Sequence, residues 1–492
     1  MNASFMIILA IFFPVLFGLW ILLYPGLKER RDLIRAAGTG LILTTVLAGI
    51  VIFDGKGAVT LLTLGENLKI YFHVDALGRL FGTVVCAVWL LSGIFSFEYM
   101  KHEKNEKRYF GFYVLVYGVL LALCFSGNLV TFYLFYEFMT LTTVPMVLHS
   151  GTRESIMAAV KYLLYSMCGA YMVLFGIFFL NRYTGSLDFA AGGTLNMDMV
   201  KGHETLLLIV ALLLILGFGV KAGMFPMNAW LPAAHPVAPA PASAVLSGLI
   251  VKMGVLGIIR GVYYIVGADF IRGTWVQTVW LVFTLLTVFM GSMLAYRENV
   301  MKKRLAYSTV SQASYILFGL ALLQPQAMAG SLLHVVFHAV IKSCLFLSAG
   351  AIIFKTGKTD VNDLRGIGKE MPATIWSYTF ASLALIGIPP ASGFISKWYL
   401  AEGSLNSGIH VFSWLGPVIL LISALLTAGY LLPVTIRGFL PGNDFDYGNF
   451  QKVEPAKTMT VPLVILAALA VVLGMVPNPL IRYIAQIIET IL

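Results

Sequence analysis

The chain has 492 residues, of which 59% are hydrophobic and 11% charged, with a mean hydropathy of +0.88; an ordinary soluble domain is roughly 25% charged. This is the composition of an all-α polytopic membrane protein, and nowhere between its apolar runs is there polar sequence long enough for a separate catalytic or nucleotide-binding domain. The formal net charge of +10 is a topology signal and implies no nucleic-acid partner, because the basic residues gather in alternate loops.

About fourteen transmembrane helices of roughly 20 residues are expected. The first, 5–24, reads as a helix rather than a signal peptide, since Met1-Asn2 carries no charge and no small-residue cleavage site follows. A second span, 34–53, leads to an exterior segment, 54–75, whose alternating ENLKIYFHV suits a short hairpin. The third, 76–97, ends at the charged loop EYMKHEKNEKR. This opening section shows no buried charge pair and reads as packing.

The fourth span, 110–126, turns at Ser126-Gly127-Asn128 into the fifth, where Glu137 sits at mid-depth near Thr140, Thr142 and Thr143. An intramembrane carboxylate either pairs with a base to join two helices or binds protons, and in both cases it is expected to face the bundle interior. Lys161 in the sixth span, 155–180, is close enough to the edge to snorkel. The stretch 206–266 departs from an ordinary pair of helices. It holds Lys221 in an apolar run, then Pro226, Pro232, Pro236, Pro239 and Pro241 around His235, then Lys252 deep in the next run. Proline removes helix donors, and backbone opened at this depth needs partners in protein or water, so a hydrated cavity is expected there. A charged side chain at mid-bilayer costs roughly 2.5–3.5 kcal/mol on the mildest scale. His235 can relay protons between the cytoplasm and that cavity or cap irregular backbone.

Span nine, 275–295, returns to the basic loop RENVMKKR, and span ten carries Ser308, Thr309, Ser311, Gln312 and Ser314, which read mostly as interhelical hydrogen-bonding groups. In span eleven His334, His338 and Lys342 recur at i, i+4 and i+8 on one helical face, about 6 Å apart per step. That spacing suits proton transfer through bridging water better than a metal site, since no HExxH pattern or third ligand accompanies it. Span twelve repeats the earlier theme: Gly387, Pro389, Pro390 and Gly393 break the helix, and Lys397 follows. Lys221 and Lys397 lie five spans apart, the offset that two inverted five-helix repeats with broken helices 7 and 12 would leave. Spans thirteen, 411–435, and fourteen, 458–476, are followed by the amphipathic tail NPLIRYIAQIIETIL, suited to the outer interface. The expected organisation is N-terminal helices in 1–109, repeats in 110–266 and 267–437, and a last helix with its tail in 438–492.

With the N-terminus outside, 20 of the 33 basic residues fall in inner loops and seven, Lys56 among them, on the opposite side, which puts both termini on the non-cytoplasmic side of a cell's inner membrane. Cys86, Cys124, Cys168 and Cys344 stand singly in apolar segments and read as core residues. No cofactor or metal is expected.

Glu137, Lys221, Lys252, the His334/His338/Lys342 face and Lys397 after GIPPASGF together resemble the antiporter-like subunits of respiratory complex I, membrane-bound hydrogenases and Mrp-type sodium/proton antiporters. The likeness covers nearly the whole chain, and FISKWYLAEG is most similar to the Mrp D subunit and its hydrogenase relatives. The resemblance implies an ion pair between Glu137 and Lys221, a midplane row through Lys252 and the span-eleven histidines, and an outward end at Lys397. It also implies partners, namely other antiporter-like and small membrane subunits and, in some complexes, redox subunits, with protons or sodium as the ions moved and no redox catalysis in this chain. The competing reading is a stand-alone secondary solute or ion transporter, and a purely structural scaffold would tolerate apolar replacement of Lys221 and Lys397.

Overall fold

Apolar runs that have no water to satisfy their backbone close their hydrogen bonds internally as helices. A computed structural model describes residues 3–54, 57–63, 65, 68–442, 445–446 and 451–492. Lys56, one of the outer-side basic residues, and Glu66 and Asn67 of the expected hairpin lie outside these, as do Met1 and Asn2. In chain order come α1 (Ala3–Leu23), α2 (Arg30–Asp54), the antiparallel hairpin β1 (Ala58–Thr63) and β2 (Lys69–His73), α3 (Ala76–Tyr99), α4 (Glu106–Cys124), α5 (Leu129–Val147), α6 (Arg153–Tyr183), α7 (Glu204–Ala222), the short α8 (Leu231–Val237) and α9 (Ala240–Val266). Then follow α10 (Trp275–Arg297), α11 (Met301–Ala321), α12 (Pro325–Thr356), α13 (Pro372–Ile386), α14 (Ser392–Leu405), α15 (His410–Phe439), α16 (Lys457–Met475) and α17 (Asn478–Ile491).

Among the described residues 12 helices are long and apolar enough to cross a membrane. Expected span ten, α11, falls outside that set because it opens on Lys302, Lys303 and Arg304 and continues through serines. Expected span twelve falls outside it because its break leaves two short pieces, α13 and α14.

Local chemistry sets the helix ends. Asp75 caps α3 by accepting from the Gly78 N–H at 2.8 Å, and Asn128 caps α5 by accepting from Thr131 at 2.7 Å. α7 stops at Gly223 (φ +76°) and α13 at Gly387 (φ +93°), left-handed positions that glycine adopts without penalty. After the first stop, Pro232 and Pro241 occupy opening turns of α8 and α9, where a missing N–H costs nothing. After the second, α14 folds back so closely that a Cβ on Gly393 would stand 1.9 Å from the Ala384 carbonyl oxygen.

The centre of the bundle is α9 and α12. The most apolar stretch of α9 is wholly buried and that of α12 is 94% buried, against 33% for α15 and α16. At one end the hairpin, the 126–128 turn and the 184–196 segment are tied by backbone bonds such as Gly127 N–H to Tyr71 O, 2.9 Å, and Phe189 N–H to Gly127 O, 3.0 Å. We call this the hairpin end and the other the basic-loop end. α17 does not simply float on the outer surface: Ile484, Ile487, Ile488 and Ile491 are buried, and the Tyr483 hydroxyl donates to the Ala76 carbonyl at 2.9 Å. Three cysteines are core residues as expected, but Cys168 is exposed, because α6 turns one face out of the bundle.

Candidate functional site

Lys221 lies in the last turn of α7, wholly buried. Its ammonium donates to Ser166 Oγ at 2.8 Å, Thr140 Oγ1 at 2.9 Å and the Tyr162 hydroxyl at 3.0 Å, and sits 4.4 Å from the Tyr162 ring centroid. Three hydroxyls from α5 and α6 thus take all three ammonium protons, as water would. The ion pair that the resemblance implies is not formed: among the described residues no salt bridge within 4.0 Å joins Glu137 to Lys221. Glu137 is half-buried at the rim of α5 beside exposed Phe138 and Leu141, and its Oε1 is buried without a protein partner. It lies near the outer face of the bundle, with Oε1 turned away from solvent and Lys221 within electrostatic reach. Lys161, half-buried 5.9 Å from the Tyr165 ring, also lies apart from the central row.

Lys252 sits on α9 just past a wide π turn, 246–250, that releases the Ser247 carbonyl. Its Nζ donates to that oxygen at 2.6 Å and lies 2.5 Å from His338 Nδ1. The His338 and His334 rings are 5.6 Å apart, and His334 Nδ1 is 2.9 Å from Ser396 Oγ on α14. Tyr315 on α11 stacks on His334 at 5.7 Å and offers its ring to Lys397 Nζ at 5.1 Å. Lys397 donates to the carbonyls of Leu385 (2.6 Å) and Ile386 (3.0 Å), acceptors left free where α13 stops. Lys252, His338, His334 and Ser396 thus form one buried polar row, with half-buried Lys397 at its end. α7 and α9 touch closely enough that a Cβ on Gly254, two residues beyond Lys252, would come 3.1 Å from Lys221 Cβ, while the Lys221 ammonium turns toward α5 and α6.

Lys342 shares a helical face with the two histidines but turns elsewhere, donating to the Leu305 carbonyl on α11 at 3.1 Å. His235, wholly buried on α8, stacks on Phe346 at 4.8 Å, and neither ring nitrogen has a protein partner. Its ring caps no backbone, and its charged neighbours are Lys302, Lys342 and Lys252. Beside it, at the basic-loop end, a cavity of about 190 Å³ is lined by Tyr99, Glu103, Pro236, Pro239 and Lys302. Lys302 is buried there, donating to the Pro236 carbonyl at 3.0 Å and to that of Ala238. In the loop after α3, burial raises the Glu103 carboxyl above the usual carboxylate range, against the pull of Lys302 and His102.

Most hydroxyls of α11 do hold helices together: Ser308 meets the Tyr430 hydroxyl at 2.6 Å, Thr309 meets Ser247 Oγ at 2.7 Å and Ser311 meets Ser292 at 2.8 Å. Gln312 and Ser314 have no protein partner. Sequence reasoning missed the hydroxyl cage of Lys221, for which the i, i+4 pair Tyr162 and Ser166 was the available signal. It also missed a charge pair in the opening section. Asp75 binds Arg260 of α9 in a fork, 2.5 and 2.7 Å, and Arg260 is 1% exposed. The signal was a second cation two turns beyond Lys252.

Residues 126–427 match the family model described as NADH:quinone oxidoreductase/Mrp antiporter, TM, and residues 62–110 match that of NADH-Ubiquinone oxidoreductase (complex I), chain 5 N-terminus. The chain is 30% identical to NADH-quinone oxidoreductase subunit N of Desulforudis audaxviator, covering 90% of this chain and 92% of the relative. It is 26% identical to the D subunit of the Na(+)/H(+) antiporter of Alkalihalophilus pseudofirmus, covering 99% and 97%. In fold it is similar to a chain of the Mrp complex from Dietzia sp., with a TM-score of 0.85, 20% identity, and coverage of 99% and 98%.

Proposed function

Because the chain belongs to the NADH:quinone oxidoreductase/Mrp antiporter family of membrane subunits, we propose that it carries protons, or protons against sodium, through a multisubunit membrane complex along the row from Lys221 to Lys397. The observation that carries this reading is the buried series Lys252, His338, His334 and Ser396, hydrogen-bonded at both ends with the two imidazoles facing each other between, and Tyr315 linking His334 to half-buried Lys397. Each buried cation in it is solvated by hydroxyls, carbonyls or imidazole, so a proton can be held or released without dragging a carboxylate with it. Burial penalises the charged lysine and a carboxylate relieves that penalty. Glu137, free at the bundle rim, is the group that biases Lys221 when it swings inward. Charge repulsion then passes the change through Lys252 and the histidines to Lys397.

Uptake runs from the basic-loop end through the Glu103/Lys302 cavity to His235, whose unpartnered nitrogens suit a bridging water. Lys342 feeds this branch instead of the main row. The basic-loop end is cytoplasmic by its charge, which places both termini outside the plasma membrane. Counting α11 and the α13/α14 pair as crossings makes fourteen, arranged as inverted repeats over 110–266 and 267–437. The αL glycine stops at Gly223 and Gly387, one just after its lysine and the other before, support that symmetry.

The test is transport by the assembled complex in vesicles. Lys221→Ala and Glu137→Ala should abolish driven ion movement with assembly intact, and single histidine substitutions should cost less because water bypasses one relay. Full transport in an assembled Lys221→Ala complex overturns the reading, and transport by this chain alone in liposomes would favour the stand-alone carrier.

A further inference from the structure

A second buried cation follows Lys252 on its own helix. This is Arg260, two turns further along α9 and about 12 Å nearer the hairpin end, and it is only 1% exposed. Its two terminal nitrogens are paired and both faces of the group are covered, while Nε is buried without a protein partner. Nη1 and Nη2 donate to the two Asp75 oxygens at 2.5 and 2.7 Å, and the Phe189 and Tyr264 ring centroids each lie 4.7 Å from its Cζ. Asp75 in turn caps α3, and Phe189 belongs to the segment bonded to the 126–128 turn and to Tyr264, whose carbonyl accepts from the Ala190 N–H at 3.4 Å. One cation therefore joins α9, the start of α3 and the strap that covers the hairpin end.

Stability alone does not account for the device. The desolvation cost of a buried ion pair roughly cancels its attraction, and apolar residues of like volume hold helices together as well. What a fixed guanidinium adds is a plug that cannot give up its proton, and so cannot relay one, held in place by its carboxylate. Resting on the reading of Lys252 as a carrier, we propose that the Arg260–Asp75 clamp seals the hairpin end of the first repeat. It closes a short route from Lys252 straight outward, so that a charge reaching Lys252 must continue through His338 and His334 to Lys397. Arg260 is thus a positioning residue for the direction of transport.

The experiment is proton leak in proteoliposomes of the assembled complex, measured after an imposed pH step with no other driving force. Wild type should be tight. Arg260→Gln should leak severalfold faster, and adding Lys252→Ala should restore tightness. If Arg260→Gln does not assemble, the neutral pair Arg260→Gln/Asp75→Asn strands no charge and makes the same comparison. A tight neutral variant overturns the seal, as does a leak that survives Lys252→Ala. Cys124, buried at the end of α4 within electrostatic reach of both partners, supplies an independent readout. In the wild-type complex it should resist a membrane-impermeant maleimide added at the hairpin side, and labelling there overturns the seal. Lys252→Ala alone with full driven transport would instead sink the carrier reading on which the seal rests, so the two failures are distinguishable.

Discussion

At the scale of single residues, the informative feature is how each buried cation is solvated. Lys221 has three hydroxyl acceptors and no carboxylate at contact distance, so its charge is tolerable at rest yet remains responsive to any anion that approaches. A hydrogen bond to a charged group is worth about 1.5–3 kcal/mol. Ser166→Ala or Tyr162→Phe, each removing one acceptor, should therefore slow driven transport without abolishing it, and the two together should approach the loss seen in Lys221→Ala; transport rates in vesicles check this. Lys221→Arg should fail despite its charge, because a planar fork does not match three converging hydroxyls.

At the scale of elements, the second broken helix depends on two glycines for different reasons. Gly387 is required for its backbone angle and Gly393 for the missing side chain, since a Cβ there would overlap the Ala384 carbonyl. Overpacking of this kind costs about 1–3 kcal/mol. Gly393→Ala should lower the thermal unfolding midpoint and displace Lys397 from the Leu385 and Ile386 carbonyls, reducing transport together with stability. Gly49→Ala, on α2 with nothing within 4 Å of the added methyl, is the matched control and should leave both unchanged. Only part of this was legible in the sequence. Glycine and proline in an apolar run announced a break, but which carbonyls it frees, and that Lys397 takes them, depends on how α14 folds back.

At the scale of the whole molecule, Asp75 and Arg260 tie positions 185 residues apart. Burial works to raise the Asp75 carboxyl, but the Arg260 charge, its hydrogen bonds and the Gly78 N–H outweigh burial and hold it below the usual carboxylate range. A carboxyl lowered on folding stabilises the folded state above its ordinary value near 3.8, and that contribution is lost as pH falls through the lowered value. Thermal unfolding at several pH values should show wild type losing stability in that acid range. Asp75→Asn should have lost it already at neutral pH, by up to about 3–5 kcal/mol, the cost of stranding a buried charge, and should be flatter with pH.

Composition and hydropathy alone determined that the chain is a helical membrane protein, because a bilayer leaves backbone no other way to satisfy its bonds. The expense of charge in hydrocarbon likewise marked Glu137, Lys221, Lys252, His334, His338, Lys342 and Lys397 in the sequence. What only the tertiary structure decided is direction. Three residues at i, i+4 and i+8 share a face, yet their hydrogen-bond partners lie on three helices, α14 for His334, α9 for His338 and α11 for Lys342, and Glu137 stands at the rim while Thr140, one turn on, reaches Lys221. Helical period fixes the side of a helix on which a residue lies, but its partner is chosen by the neighbouring helix that happens to pass there, and that contact is made between segments far apart in the chain.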